Sequence, residues 1–400
     1  MLKRITLLLW ILLTLTACGG GGGGDTVNSE AETPSTTPVV SFTWQLPTGF
    51  PTPKVPADNP MSDAKVDLGR YLFYDRRLSI NETISCASCH EQNKAFTDGK
   101  KTNVGAMGEA HPRNSMSLTN VVYNSAFNWA NPLLTTLHQQ ALVPMFAEFP
   151  VELGWSDKEA EILARFAQEP IYKSKFVAAF PTEANPFTTG NVAKALASFV
   201  SILISGNSPY DKQIYQNQTT ALSDSAKRGM ELFFSERLEC FHCHGGFNFT
   251  QSTNHEQSVF TELEFHNNGL YNIGGTGAYP ENGRGLWEIT FKPEDMGRFR
   301  APTLRNIELT APYMHDGSIA NLSEVIDHYA RGGRKIESGE YAGDGALNPY
   351  RSDLLVGFVL SASEKEDLIN YLKSLTDWTF ICDERFSDPF GNVPRNSQCP

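Results

Sequence analysis

Two stretches of the chain carry the same pattern of apolar and basic positions. In each, a glycine is followed by leucine and phenylalanine three and four residues later, and by an arginine–leucine pair eight and nine residues later (69–78 and 229–238). The spacing of leucine and phenylalanine is typical of one face of a short helix. The repeat therefore predicts two related halves, each beginning with such a helix.

Each half is also predicted to end in a longer amphipathic helix. The first runs from Asn191 to about Ile204 and the second from Ser363 to Leu375, where Ser363 and Glu366 have the spacing of a capping box. The break between the halves is expected at 206–209, which contains glycine and proline. Since long loops rich in proline and glycine separate the helices, we expect a mainly α fold with long loops and little strand.

The beginning of the chain differs from the rest. A basic start followed by an apolar run (Ile5–Leu15) is typical of a secretory signal and too short for a retained membrane span. Residues 15–18 resemble a bacterial lipobox, so 1–18 is interpreted as a lipoprotein signal peptide and Cys18 as the lipidated residue. The alternative is a plain signal peptide cleaved nearby. Residues 19–41 predict a flexible linker, and we expect a periplasmic protein anchored by lipid to the outer membrane.

Two pairs of cysteines, each followed by a histidine, lie just after the repeated stretches. Covalent attachment of haem needs two thiols for the vinyl groups and an imidazole for the iron. The alternatives are redox dithiols or half of a zinc site. Zinc would need four ligands, however, and neither cysteine pair has a second cysteine pair close by in the sequence. We therefore predict two c-type haems, held by Cys86, Cys89 and His90 in the first half and by Cys240, Cys243 and His244 in the second.

A helix before the haem motif and a closing helix after it form the layout of a small cytochrome c domain. We predict two such domains, 42–206 and 207–380, and the 400 residues are enough for both. In the remaining tail, 381–400, Cys382 and Cys399 are expected to form a disulfide. The net charge of −12 argues against a nucleic-acid partner but leaves open docking to a basic protein.

Further stretches carry a resemblance to a known family. These are the motif Pro-Arg-Asn-Ser at 112–115 and the run PTLRNIELTAPYMHDG at 302–317. Together with the two haem motifs they resemble the bacterial di-haem cytochrome c peroxidase and MauG family over roughly residues 46–378. WANPLL at 129–134 and ALVPMF at 141–146 resemble the MauG-like branch that includes MbnH. The resemblance implies a haem-dependent oxidoreductase that uses hydrogen peroxide.

The resemblance also assigns roles around the first haem. It implies that the haem on His90 is open to peroxide and that Gln140, Pro144 and Glu152 lie over its iron. A carboxylate there can take a proton from peroxide and return it to the leaving oxygen. Glu152 is our prediction for this acid/base, although the spacing from Gln140 is two residues longer than in the peroxidases, so Glu148 remains an alternative.

The haem on His244 is expected to be six-coordinate. Ordinary peroxidases of the family provide a methionine at the position aligned with Tyr329, whereas MauG has a tyrosine there. An anionic phenolate stabilises oxidised iron, while methionine raises the potential. The alternatives are that Tyr329 only packs in a helix and that His328 or Met314 is the ligand.

Other assignments rest on the resemblance alone. Trp129 matches the aromatic residue that relays electrons between the haems, and Asn114 with the carbonyl groups of Thr310 and Pro312 matches a calcium site. His111 departs from the family, because it directly precedes the Pro-Arg-Asn motif instead of lying several residues before it, and we expect it not to reach the iron. The other histidines are expected to be polar or loop residues (His138, His255, His266) or to support the second haem through hydrogen bonds (His315).

Three functions follow from these predictions. The first is a MauG-like or MbnH-like enzyme that reacts with hydrogen peroxide and oxidises a side chain of a partner protein, which Tyr329 favours. The second is a cytochrome c peroxidase that draws electrons from a small cytochrome c. The third is a non-enzymatic di-haem electron carrier, which an open haem on His90 would exclude.

Overall fold

A computed structural model describes residues 42–261, 263–393 and 396–399. The predicted signal peptide, Cys18 and the linker lie outside the described residues. The predicted mainly α fold is confirmed, and the part of the chain that is described has no helix long and apolar enough to cross a membrane. The helices are α1 (Asp63–Tyr74), α2 (Leu137–Phe146), α3 (Glu159–Gln168), α4 (Pro170–Ala179), α5 (Thr189–Ser201), α6 (Pro209–Tyr215), α7 (Asp224–Phe233), α8 (Cys240–His244), α9 (Trp287–Thr290), α10 (Leu322–Arg331), α11 (Ala362–Lys373) and α12 (Trp378–Ile381).

The strands are short and lie in the second half of the chain. β1 (His266–Asn267) pairs antiparallel with β2 (Arg298–Phe299), with His266 opposite Phe299. β3 (Lys335–Ile336) pairs antiparallel with β4 (Gly343–Asp344). Since each strand has two residues, these pairs fasten loops and form no layer of the fold.

The repeated glycines let two pairs of helices approach closely. A Cβ atom on Gly69 of α1 would lie 1.9 Å from the carbonyl oxygen of Ala195 in α5. In the second half, a Cβ atom on Gly229 of α7 would lie 2.0 Å from the carbonyl oxygen of Asp367 in α11. Any side chain at either position would push the helices apart, so the glycine of the repeat fixes the contact between the opening and closing helices.

The predicted capping box at Ser363 and Glu366 is wrong. The box is formed two residues earlier, where Ser361 Oγ accepts a hydrogen bond from the Glu364 backbone N–H and the Glu364 carboxylate accepts from the Ser361 N–H. Both serines have a glutamate three residues later, but Ser363 already lies inside the first turn of α11. The predicted closing helix of the first half is likewise shifted, because Thr188 caps α5 and the helix ends at Ser201.

Each half has its own hydrophobic core. The first core is built on α1 to α5, and the second on α7, α10 and α11 with the loops between them. The first core also takes up Phe380, Ile381 and Phe386 from the end of the chain. Tyr74 donates a hydrogen bond to the Phe386 carbonyl, and the disulfide between Cys382 and Cys399 closes this tail. The predicted boundary between the halves falls between α5 and α6 and stays a prediction.

A second repeat connects the loops to the closing helices. Asn120 and Asn306 both have left-handed backbone conformations and each precedes a short 3-10 turn. The Asn120 side-chain oxygen accepts from the Ser205 N–H at 2.6 Å, just after α5. The Asn306 oxygen accepts from the Asp377 N–H at 2.7 Å, just after α11. Equivalent buried asparagines thus fix equivalent chain crossings in the two halves.

Candidate haem-binding active site

The first cysteine pair and its histidine line a cavity in the N-terminal half. Cys86 lies in a 3-10 turn, and both Cys89 and His90 face the same space. His90 Nδ1 lies 2.8 Å from the Phe96 carbonyl oxygen, so this nitrogen carries the proton. The Nε2 lone pair is then left for a metal, which is how histidine ligands of iron are oriented. These residues fit a covalently bound haem.

The second set lines a separate cavity in the C-terminal half. Cys240, Cys243 and His244 all lie on α8. His244 Nδ1 lies 3.2 Å from the Phe249 carbonyl oxygen and 3.1 Å from that of Pro302. Burial lowers the pKa of His244 to about 4, so its imidazole is neutral, as a metal ligand must be. This cavity fits a second haem by the same test.

The thiols do not have the properties of the alternative sites. Burial raises the pKa of Cys86, Cys89 and Cys240 to about 12, whereas redox-active cysteines have a lowered pKa. Among the described residues, neither pair belongs to a cluster of three or more metal-ligating side chains, as a zinc site would require. The geometry favours haem attachment over both alternatives.

Gln140, Pro144 and Glu152 line the same cavity as His90. Gln140 and Pro144 lie on α2, and the Leu153 N–H donates to the Pro144 carbonyl at 2.9 Å, which fixes the Glu152 segment against this helix. Burial raises the pKa of Glu152 to about 7. A carboxyl group with this pKa can both accept and donate a proton near neutral pH.

Glu148 lies outside the N-terminal cavity, whereas His111 lines it. Glu148 is exposed in the turn before Glu152 and does not line the cavity, so Glu152 has the better position for acid/base chemistry. His111 does line the cavity, with Nδ1 3.5 Å from Glu152 Oε1, and burial lowers its pKa. The histidine that departs from the family pattern therefore lies beside the predicted acid/base.

The C-terminal cavity contains two of the three candidates for a second iron ligand. Tyr329 on α10 and Met314 line it, whereas His328 does not and has Nε2 3.0 Å from the Asn268 carbonyl oxygen. Burial raises the pKa of Tyr329 to about 12, so the phenol is neutral until a cation draws off its proton. The geometry retains Tyr329 and Met314 as candidates and disfavours His328.

Trp129 lies between the two cavities and lines both. Its indole Nε1 donates to the Asn114 carbonyl at 3.0 Å, and its ring meets Phe299 edge to face. Asn114 also lines both cavities, and its side-chain amide donates to the Lys100 carbonyl at 2.7 Å. The predicted electron relay and part of the predicted calcium site are thus joined by one hydrogen bond.

Some of the remaining predicted residues line the C-terminal cavity, and others line neither cavity. Thr310, Pro312, His266 and His315 line it, whereas His138 and His255 line neither. His315 stacks on Phe299, and its buried Nε2 has no hydrogen-bond partner in the described structure. Arg300 also lines this cavity, and sequence reasoning missed it because an arginine in a loop carries no signal of burial.

Comparisons with known proteins agree with this geometry. The family model described as "Di-haem cytochrome c peroxidase" matches residues 63–219. The cytochrome-c peroxidase IdrP1 of Pseudomonas sp. (strain SCT) is 32% identical over 344 residues, covering 82% of this chain and 84% of the relative. The methylamine utilization protein MauG of Methylorubrum extorquens is 31% identical over 332 residues, covering 83% of each chain.

A solved structure gives a stronger likeness. It is described as a MauG-like protein associated with microbial copper homeostasis, and it matches with a TM-score of 0.85 and 47% identity over 87% of this chain and 99% of that one. The family assignment rests on these relatives and on the two cavities, each of which presents a histidine and two cysteines. The chain belongs to the di-haem cytochrome c peroxidase and MauG family of haem-dependent oxidoreductases, which implies two c-type haems, hydrogen peroxide and a redox partner.

Proposed function

We propose that this protein takes oxidising equivalents from hydrogen peroxide in the N-terminal cavity and uses them to oxidise a side chain of a partner protein. The observation that carries the second part is Tyr329 in the C-terminal cavity. A phenolate ligand stabilises oxidised iron, which suits a protein that stores oxidising equivalents. The likeness to a MauG-like protein supports the same choice.

The residues of the N-terminal cavity supply proton transfer. A haem held there by Cys86, Cys89 and His90 would supply the iron that activates peroxide. Glu152 takes the proton from peroxide and returns it to the leaving oxygen, which its pKa of about 7 permits. His111, with Nδ1 3.5 Å from Glu152 Oε1, holds the carboxylate toward the cavity. His111 and Glu152 therefore act as a positioned pair.

Trp129 then connects the two halves. Its ring lines both cavities and its indole N–H is fixed on the Asn114 carbonyl. A fixed aromatic ring between two redox centres shortens each electron step and needs little reorganisation. We propose that a calcium ion near Asn114, with the carbonyl oxygens of Thr310 and Pro312, holds this region in place.

The location in the cell is part of the proposal. The basic start, the apolar run and the lipobox-like residues that end at Cys18 support export to the periplasm and a lipid anchor in the outer membrane. Haem is attached to cysteine pairs in bacteria outside the cytoplasm, and the disulfide between Cys382 and Cys399 suits that compartment.

A second candidate is a cytochrome c peroxidase. Met314 lines the C-terminal cavity beside Tyr329, and its sulfur lies 3.3 Å from the Asn268 amide nitrogen. If Met314 were the ligand, the second haem would have a higher potential and would suit electron uptake from a small cytochrome c. The C-terminal cavity therefore contains both deciding residues: Tyr329, on which oxidation of a partner protein depends, and Met314, on which the cytochrome c peroxidase function depends.

The test is to mix the all-ferric holoprotein with hydrogen peroxide in a stopped-flow spectrometer. We expect an immediate spectral change without prior reduction, and slow turnover with a reduced small cytochrome c as donor. Spectra that stay unchanged until one haem is reduced, together with fast cytochrome c oxidation, would show an ordinary peroxidase. No reaction with peroxide in any redox state would leave an electron carrier.

A further inference from the structure

Arg300 is a buried cation without a partner carboxylate. Its side chain lines the C-terminal cavity, and the residue is 2% exposed. Its side-chain hydrogen bonds within the described residues are long, from Nε to the Asn128 carbonyl and from Nη1 to the Ala301 carbonyl, each 3.4 Å. No ion pair joins Arg300 to an acid in the part of the chain that is described, and burial lowers the pKa of its guanidinium to about 10. A buried guanidinium left in this way is strongly unfavourable unless an anion reaches it.

A second buried arginine five residues later shows the ordinary solution. Arg305 is fully buried, and its two terminal nitrogens donate to both oxygens of Asp211 at 2.9 and 3.0 Å. This is the bidentate geometry that a guanidinium forms with a carboxylate. The same loop therefore contains one arginine with a carboxylate from the protein and one whose carboxylate must come from elsewhere.

The other charged groups of the cavity are already engaged or neutral. Arg237 pairs with Glu364 at 2.6 Å, and Glu239, the one carboxylate among the described residues lining this cavity, pairs with His242 at 2.7 Å. Burial lowers the pKa of the three lining histidines and raises that of the two lining tyrosines (His244, His266, His315, Tyr313, Tyr329). Arg300 is the cation that remains to attract an anion into the cavity.

We propose that Arg300 binds a carboxylate inside the C-terminal cavity, and that this carboxylate is a propionate of the haem attached at Cys240 and Cys243. Haem carries two propionates, and the thiols and His244 of this cavity fit that group. The inference rests on the cofactor and not on the reaction proposed above. Because the Arg300 backbone N–H donates to the Trp129 carbonyl at 2.9 Å, the ion pair would also tie the haem to the connecting tryptophan. Arg300 is thus a positioning residue that sets the charge beside the second haem.

The experiment compares the holoproteins of the wild type and Arg300→Gln by spectroelectrochemistry between about pH 6 and pH 9. In the variant, an uncompensated propionate stabilises ferric iron. We therefore expect the ferric-to-ferrous ratio of the His244 haem at fixed potential to rise by about tenfold or more at high pH. The ratio should fall again as the propionate takes up a proton at lower pH. The wild type should be nearly independent of pH, and the His90 haem should not change.

The Arg300→Lys variant and a matched arginine separate charge from packing. Arg300→Lys should restore most of the wild-type potential, whereas Arg305→Gln should lower the unfolding temperature without a selective effect on the second haem. A variant Arg300→Gln with an unchanged potential, or with a shift that does not depend on pH, would overturn the proposal. So would a wild-type potential that follows added acetate at constant ionic strength, because a free carboxylate would then occupy the site.

A measurement on the wild type decides the question if Arg300→Gln does not fold. Growth on 5-aminolevulinate labelled with ¹³C at the carboxyl carbon marks the haem propionates. Redox-induced infrared difference spectra should then show an ionised propionate down to about pH 6, because a paired carboxylate has a lowered pKa. If every labelled propionate of the two haems gave a carboxylic acid band near neutral pH, no cation would hold any of them, and the proposal would fail.

Discussion

The substitution Glu152→Gln tests the proton transfer most directly. With a pKa of about 7, Glu152 is about one tenth ionised at pH 6 and about nine tenths ionised at pH 8. Only the ionised form can take a proton from peroxide, so the rate of the first step should rise by about tenfold from pH 6 to pH 8 in the wild type. The amide introduced by the substitution cannot ionise, so the variant should lose this pH dependence.

The size of the loss follows from the position of the group. A positioned general acid/base contributes ~10²–10⁴-fold. Glu152 lines the cavity and its segment is fixed by the hydrogen bond from Leu153 to Pro144, so we expect a loss in that range at pH 8. At pH 6 the difference should be about tenfold smaller, because most of the wild type is then protonated as well.

The assay is stopped-flow mixing of holoprotein with hydrogen peroxide at several pH values. Resting spectra of both haems should be unchanged in Glu152→Gln, since no iron ligand is altered. Glu148→Gln is the matched control, because Glu148 lies in the exposed turn four residues earlier and its loss should leave the rate within about twofold of the wild type. A rate defect in Glu148→Gln with a normal Glu152→Gln would refute the assignment, as would a pH dependence that persists in Glu152→Gln.

Three further predictions concern the rest of the protein. Tyr329→Phe should change the low-spin signal of the second haem in electron paramagnetic resonance, and an unaltered signal would show that the phenol only packs. Cys86→Ala should impair the peroxide-reactive haem selectively in pyridine haemochrome assays, where the wild type should contain two haems; a fully matured wild type with one haem would contradict this. Gly69→Ala should lower the free energy of unfolding by about 1–3 kcal/mol through overpacking against α5. Gly190→Ala, at the start of α5, should stay within about 1 kcal/mol of the wild type in chemical denaturation, because a Cβ atom there would lie 4.0 Å from Thr188 Oγ1, an ordinary contact distance.

Local patterns predicted much of this molecule. The haem motifs, the opening helices and the closing helices each depend on residues close in sequence, and they are recognisable for that reason. Errors arose where two positions satisfied the same local rule, as with Ser361 and Ser363 at the start of α11. Which of the two serines caps the helix depends on the position at which the preceding loop ends, and the local sequence does not determine that position.

Long-range contacts could not be predicted in the same way. His111 and Glu152 are far apart in the sequence, and no local pattern around either residue indicates that their side chains lie close together. The burial of Arg300 without an acid depends on the loops that meet around the C-terminal cavity. Such sites follow from the fold as a whole, so they become visible only when the chain is assembled.

The tail that packs on the first core has a consequence for the order of folding. Phe380 contacts Phe96, and the Gln92 side chain donates to the Asp383 carbonyl, so chain from far beyond the second haem motif supports the loop that holds His90. The core of the first half is therefore complete only after the end of the chain, with Phe380, Ile381 and Phe386, has been synthesised. A chain truncated before α12 should lose stability around the first haem and not around the second. Maturation of the peroxide-reactive half would then depend on a complete polypeptide, which keeps a half-made chain from acting as an enzyme.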